Sequence, residues 1–354
     1  MKRSSIRLRW VLWFCATLLG MALIIAYCSA YISPTTTWIP AFFGLYYWPL
    51  VVVNLLFLFA VLVKRSSVAW VPFVCLLPTL LFVSLFARWG TTEEGKPDGV
   101  SIKIASYNVC NFQGYGKRTR EETVTKISRF LEQEQVDVVC MQEFFYPDAG
   151  KIRHLFPSLP YQCFSQKTKT KSYRGNVIFS RYPIESVGEL TFPHTSRTCL
   201  YADINVHGCL VRIYNVHLES NNISLTALAD RIRKNQQSPD EILQAHLRIR
   251  EAFLVRAQQV EIIANHLKST EMPFIFCGDF NDTPISYTYY QLQKGLNDTF
   301  RYAGKGFGAT FRYLWPALRI DYIFHNQNFT TKIHTTIKVP YSDHYPVITE
   351  LILL

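Results

Sequence analysis

The chain has 354 residues, 49% of them apolar, with a formal net charge of +11. The first 89 residues contain no Asp or Glu yet carry Lys2, Arg3, Arg7, Arg9, Lys64, Arg65 and Arg88, which leaves 30 basic against 26 acidic side chains over the remainder. So uneven a composition excludes one uniform soluble domain, and the near-balanced remainder removes the high pI as an argument for nucleic-acid binding.

Three apolar stretches, residues 10–31, 41–63 and 68–87, come first. Each is long enough to cross a bilayer, which takes about 20 helical residues, and no acidic residue or amphipathic face interrupts them. Pro72 and Pro78 would kink the third. A basic start and the small pair Ser29-Ala30 also fit a cleaved signal peptide, but two further spans follow, which favours retention. Bulky Tyr27 before Cys28 argues against a lipoprotein signal. Basic residues lie before the first span and at Lys64-Arg65, whereas residues 32–40 carry no charge. The positive-inside rule then puts both basic segments in the cytoplasm. Three crossings place everything after Arg88 outside, so a multi-pass plasma (inner) membrane protein with an extracytoplasmic domain is expected.

Residues 90–99, polar and Gly-containing, are expected to be a linker, and a domain is expected over 100–354. Strand-like runs recur at 101–109, 136–142, 176–181, 200–206, 210–218, 273–277, 319–325 and 347–353. A helix is predicted over 118–135, with Val124, Ile127 and Leu131 on one face. Ser238-Pro239-Asp240-Glu241 reads as a helix start, and Ile242, Ile249, Phe253, Val260 and Leu267 continue a long apolar stripe behind it. Residues 221–237 read as an insertion. Mixed strands and helices over this length predict a layered α/β domain. Of the cysteines beyond the spans, Cys110, Cys140, Cys199, Cys209 and Cys277 sit in or beside strand-like runs without zinc spacing. Free buried thiols and disulfides both fit them.

Polar residues stand where folding alone would not ask for them. The strings are Ser-Tyr-Asn108-Val, Met-Gln142-Glu143-Phe, Tyr-Asn215-Val-His217-Leu, Cys-Gly-Asp279-Phe-Asn281-Asp282, Arg319-Ile-Asp321-Tyr-Ile-Phe and Ser-Asp343-His344-Tyr-Pro. Singly, each has an ordinary structural explanation: a turn cap, a solvated charge, a hairpin closure. Six together supply carboxylates, amides and imidazoles without a nucleophilic Ser or Cys. Hard oxygen donors of this kind point to Mg²⁺ or Mn²⁺, with water as the attacking group.

In order and wording, GDFND, RIDYIF and SDHYP resemble the endonuclease/exonuclease/phosphatase superfamily of abasic-site endonucleases, DNases, neutral sphingomyelinases and inositol-phosphate 5-phosphatases. Gly308-Ala-Thr310-Phe and Asn176-Val-Ile-Phe-Ser-Arg-Tyr-Pro resemble that framework too, so the likeness covers about residues 100–354. It implies a four-layered α/β sandwich, two packed mixed sheets flanked by helices, preceded here by three transmembrane helices. It implies Glu143 and Asn108 as metal ligands assisted by Asp343, and Asp279 with Asn281 as the pair that orients and deprotonates water. His344, paired with Asp321, would be protonated and stabilise phosphate charge, and His217 would donate to the phosphate or leaving group. Asn176 and Arg174 are candidate substrate contacts, although the Arg174-Gly175-Asn176 run reads equally as a turn. The Lys-rich run 167–174 suits a solvated loop, a polyanion or lipid headgroups.

Three functions fit these residues. Metal-dependent hydrolysis of a lipid or small phosphodiester at the extracytoplasmic membrane surface leads, since tethering concentrates the site there. A membrane-tethered nuclease and an inactive binding protein follow. No protein partner is implied.

Overall fold

The structure is a computed structural model that describes residues 2–89, 99–113, 118–165, 171–221, 239–314 and 318–354. Helix α1 (Lys2–Cys28) contains the apolar segment Arg7–Cys28, long enough to cross a membrane. The second expected span is different. Residues 39–63 form two helices, α2 (Ile39–Leu45) and α3 (Tyr47–Val63), bent by 70° at Tyr46. Pro49 supplies the reason: it has no N–H for the Leu45 carbonyl and its ring crowds that position, so the helix restarts with Pro49 in its first turn. The third stretch, Ser67–Leu85, remains a candidate span despite Pro72 and Pro78, and is divided into short turns that include α4 (Trp70–Leu76) and α5 (Thr79–Phe82). Two helices are therefore long and apolar enough to cross a membrane, with a third crossing if the bent pair counts as one. This corrects the expectation of three simple spans.

Past this bundle, β1 (Ala87–Arg88) pairs antiparallel with β11 (Gly306–Phe307). One six-stranded sheet holds, in spatial order, β13 (Phe329–Thr336), β14 (Val347–Leu353), β2 (Val100–Asn108), β3 (Val138–Tyr146), β5 (Tyr173–Ser180) and β4 (Tyr161–Phe164). The other holds β10 (Asn297–Asp298), β12 (Asp321–His325), β9 (Phe274–Asp279), β8 (Cys209–His217), β7 (Thr198–Val206) and β6 (Ile184–Thr191). Among the described residues, the parallel pairs are β2–β3 and β8–β9.

Strand parity builds the layers. Ile102 and Ile104 of β2, Val138 and Cys140 of β3, Ile213 of β8 and Ile275 and Cys277 of β9 meet in the core between the sheets. The alternate residues Ala105, Tyr107, Val139 and Met141 face outward under α6 (Arg120–Gln133). That helix starts where expected, in a capping box formed by Thr119 and Glu122. On the far side, Tyr214, Val216, Phe274, Phe276, Tyr322 and Phe324 pack under α7 (Pro239–Lys268) and α8 (Tyr287–Gln293). A short α9 (Thr299–Ala303) follows. Two mixed sheets flanked by helices make the expected sandwich.

The outer core does not stop at the sandwich. Leu23, Tyr27, Tyr47, Val51, Leu85 and Phe86 of the N-terminal helices belong to the same buried cluster as Phe276, Phe280, Ile285 and Tyr289. Ser29 Oγ donates to the Ile285 carbonyl, and Gly44 is packed so closely there that a Cβ would collide with Ser29. Most of the expected linker, residues 90–98, and most of the expected insertion, 222–238, lie outside the described residues, as does Ser238. The nine cysteines are free thiols.

Candidate active site

The inter-sheet core runs out into polar residues at one edge because the same parity continues. Ile213 is followed inward by Asn215 and His217, Ile275 by Cys277 and Asp279, Ile104 by Ser106 and Asn108, and Val138 by Cys140 and Gln142. Register aligns the ends: His217 and Asp321 both lie opposite Asp279. Asn108 lies opposite Gln142. Glu143 breaks the alternation at the β3 bulge between Met141 and Phe144, with a left-handed φ of 49°, which turns its carboxylate toward the same edge.

Beneath the edge lies a floor of amides. Gln142 Nε2 donates to Asn215 Oδ1 at 2.8 Å, and Asn215 Nδ2 to the carbonyls of Met141 and Val177. Asn176, a predicted substrate contact, is 4% exposed and donates to the Thr198 carbonyl at 3.0 Å, tying β5 to β7. These bonds satisfy groups that would otherwise be costly to bury, and they hold both sheets in register under the site.

Above the floor, the Asp279 carboxylate accepts from Asn108 Nδ2 at 2.9 Å and from the Asn281 N–H at 2.8 Å. Burial and then repulsion by Asp321 push the Asp279 carboxyl upward, against His344, Asn108 and Asn281, which favour its charge. His344 Nδ1 lies 2.9 Å from Asp321 Oδ2, and its Nε2 3.8 Å from Asp279 Oδ2. Burial would lower the imidazole, but Asp321 and Asp279 overrule it and push it up to about 10. His217 Nε2 lies 3.7 Å from Glu143 Oε1 and 3.8 Å from Asp279 Oδ2. Arg197 Nη1 sits 2.7 Å from His217 Nδ1. A guanidinium only donates, so Nδ1 accepts and Nε2 carries the hydrogen aimed between the two carboxylates. Burial, then Arg197 and His344, hold His217 well below the usual histidine range, hence neutral.

The predicted residues thus fall into a centre and a margin. Glu143, His217, Asp279, Asp321 and His344 converge. Asn108 steadies Asp279 through Nδ2 while its side-chain oxygen Oδ1 accepts from the Cys110 N–H at 3.0 Å, and Asn281 anchors its loop to the Leu218 carbonyl. Asp343 takes a hydrogen bond from Ser342 at 3.2 Å and bears, with Glu143, on the Cys110 thiol, which burial and both acids push up. Arg174 is exposed, 4.8 Å from the Phe145 ring centroid, and lies within β5 instead of a turn. Residues 167–170 of the Lys-rich run lie outside the described residues. Sequence reasoning missed Arg197, and it missed Asn111, whose Nδ2 lies 3.4 Å from Glu143 Oε2. Neither stands in a recognisable string. Thr310, whose hydroxyl accepts from the N–H groups of Ile320 and Asp321, belongs to the Gly308-Ala-Thr310-Phe run and was legible.

Such a sandwich, with acids, amides and imidazoles at the open edge between two mixed sheets, defines a class of phosphoric ester hydrolases. The chain belongs to the Endonuclease/Exonuclease/phosphatase family, whose model matches residues 105–344. A second model, described as a domain of unknown function, matches residues 9–86. Among solved structures, an endonuclease/exonuclease/phosphatase from Beutenbergia cavernae is 19% identical, with a TM-score of 0.55 over 72% of each chain. A family protein from Bacteroides thetaiotaomicron is 18% identical, with a TM-score of 0.54 over 73% of this chain and 97% of that one. The mannosyl-6-phosphatase of the same organism is 17% identical, with a TM-score of 0.51 over 71% and 100%. At these identities the likeness is one of fold. No curated protein matches the chain. Members of the family hydrolyse phosphoric esters and are typically dependent on a divalent metal. Among the described residues, one ligand atom each from Asp279, Asp321 and His344 lies within 4.8 Å of the others, spacing that suits a metal.

Proposed function

We propose that the chain is a Mg²⁺- or Mn²⁺-dependent phosphodiesterase that acts on a lipid or small phosphodiester at the extracytoplasmic face of the plasma membrane. The observation that carries this reading is the meeting of Glu143, His217, Asp279 and the Asp321–His344 pair at one edge, where the imidazole Nε2 atoms stand 3.7–3.8 Å from the carboxylates they face, too far for direct hydrogen bonds. The buried atoms Asp321 Oδ1, His217 Nε2 and Asn111 Oδ1 have no hydrogen-bond partner among the described residues, which fits a site that receives a charged guest.

Glu143, with Asn108 and Asp343 beside it, would hold the cation. His344 is less suited to do so, because a protonated imidazole has no lone pair to give. When bound, the metal neutralises phosphate charge and activates the phosphorus toward attack. Asp279, steadied by Asn108 and Asn281 and raised in basicity, takes the proton of the attacking water. One P–O bond forms as the ester P–O bond breaks, and the departing alkoxide takes a proton from solvent to leave as the alcohol. The His344 imidazolium, held by Asp321, and the Nε2–H of His217 meet the charge that develops on the phosphoryl oxygens.

The localisation draws support from aromatic residues at both ends of the apolar bundle. Trp10, Trp13 and Trp70 lie on the Lys64-Arg65 side, with Trp13 and Trp70 rings 6.1 Å apart. Tyr31, Trp38, Tyr46 and Trp48 lie at the end that meets the sandwich, as interfacial belts do.

The test uses the full chain in lipid nanodiscs with Mg²⁺, offered sphingomyelin, phosphatidylinositol, a soluble bis-nitrophenyl phosphate, plasmid DNA and RNA. Cleavage of phosphodiesters, abolished by EDTA and restored by Mg²⁺, is expected. Asp279→Asn and His344→Ala should each lower kcat by at least about 100-fold. Cleavage of nucleic acid alone would remove the lipid reading, and rates untouched by either substitution would make the chain a binding protein.

A further inference from the structure

Helix α7 does two things that separate along its length. Its C-terminal part is built into the sandwich, through Val260, Ile263 and Leu267. Arg256, fully buried, donates to the Glu219 carbonyl at 2.7 Å and to Asn221 Oδ1 at 3.0 Å, and lies 3.4 Å from Asp282. It thereby ties the helix to the chain just beyond His217 and to the loop that carries Asp279. The N-terminal part is different. From Asp240 to Arg248 no residue is buried, yet Ile242, Leu243 and Leu247 stand there, exposed by 45%, 56% and 44%.

Those three residues are not isolated. The His246 ring lies 5.8 Å from Phe42 of α2, the Phe253 ring 5.3 Å from it, and the Arg250 guanidinium 5.6 Å from the Trp38 ring. His246, Arg250 and Phe253 are spaced as one helix stripe, so that stripe crosses α2, and Ile242 and Leu243 are its next turn. Leu247 flanks them at the i+4 position from Leu243. The apolar end of α7 therefore overhangs α2 and continues the exposed surface of Trp38 and Ile39, residues at the end of the candidate spans. A basic flank follows in Arg248 and Arg250.

We propose that the first two to three turns of α7 lie in the lipid headgroup–acyl boundary, with Ile242, Leu243 and Leu247 inserted, so that the bilayer surface is the partner of this face. An amphipathic helix end joined to an interfacial Trp and flanked by Arg is seated in this way by apolar burial and headgroup attraction together. Through Arg256, the seated helix sets the height and tilt of the loops that bear His217 and Asp279. The site is thus presented to phosphate esters in the membrane surface, an assignment that rests on the phosphodiesterase reading.

The test is photocrosslinking of the full chain in phosphatidylcholine–phosphatidylglycerol nanodiscs that contain a diazirine phospholipid. The peptide 240–250 should be labelled, and Ile242→Glu/Leu243→Glu/Leu247→Glu should abolish the label. That variant should hydrolyse vesicle-borne phosphodiester at least about 10-fold more slowly, with turnover of the soluble diester unchanged, because only the seating is lost. Label confined to α1 and α3, or a dimeric particle that the variant disperses, would overturn the proposal, the second by placing another copy on this face. If the peptide is labelled but neither ester is cleaved, the seating stands and the phosphodiesterase reading falls.

Discussion

Asp279 and His344 share one buried space, where burial and then Asp321 raise the Asp279 carboxyl while His344 favours its charge. His344 stays protonated because Asp321 and Asp279 outweigh its burial. If Asp321 becomes Asn, the largest opposing charge is gone and the imidazole falls below its present value of about 10. Since the charged form is the useful one, activity of the Asp321→Asn variant should be lost at a lower pH than in the parent as pH rises. A kcat–pH profile on the soluble diester checks this. Arg197 acts at the same scale through His217. Arg197→Met frees the ring to place its hydrogen on Nδ1, and kcat should fall about 10- to 100-fold with KM nearly unchanged. Gly278, at a φ of 148°, lets β9 approach β8 so closely that a Cβ would strike the Val216 carbonyl. Gly278→Ala should lower thermal stability by several kcal/mol, read as a shift in unfolding midpoint.

At the scale of elements, a buried ion pair ties the N-cap of α9 to the residues just before β12, and a buried imidazole ties α9 to β13. Arg319 pairs with Asp298 at 2.8 Å, and although burial opposes it, that partner depresses the Asp298 carboxyl below its ordinary 3.8. His334 faces Thr299 at 2.8 Å, and burial pushes its imidazole down from 6.5 to about 3. Both folded-state values lie below the unfolded ones, so the folded form binds fewer protons and loses stability as pH falls. The His334 contribution is present above 6.5 and drains between 6.5 and about 3, while that of Asp298 is lost only below about 3.8. His217 and His325 act in the direction of His334, and His344 in the opposite one. Relative to the parent, His334→Gln should therefore flatten the pH dependence of the unfolding midpoint between pH 6 and 4 by about one proton, roughly 1.4 kcal/mol per pH unit. An unchanged slope would show that the buried imidazole is not what makes the fold acid-sensitive.

For the whole molecule, the bundle and the sandwich share one apolar core, which makes the N-terminal helices part of the same body as the sandwich and not a loose tether. The pairing of β1 with β11, the Gly308 N–H on the Phe86 carbonyl at 3.0 Å and the hydrogen bond from Arg88 to the Arg301 carbonyl extend that join. The next residues, Thr310 and Phe311, lie under Asp321 and His344: Thr310 accepts from Asp321, and Phe311 bridges His344. A fragment of residues 99–354 exposes the surface around Phe280, Ile285 and Tyr289 and should aggregate without detergent, whereas the full chain in nanodiscs stays monodisperse. Size-exclusion chromatography of both decides it.

The sequence by itself determined the strands, the capped α6, the long α7 and the six polar strings, because each rests on neighbours in the chain: alternation, caps and turn chemistry. Edge strands β4, β6 and β13 escaped it, since strands buried on little of one face lack a clean alternation. Only the tertiary structure decided that Arg197 reaches His217, that Asn176 ties the floor, and that the N-terminal helices share the sandwich's core. Each of these is a contact between residues far apart in the chain, and its energy comes from burial and hydrogen bonding across elements. No local pattern encodes such a contact until the sheets have placed the partners side by side.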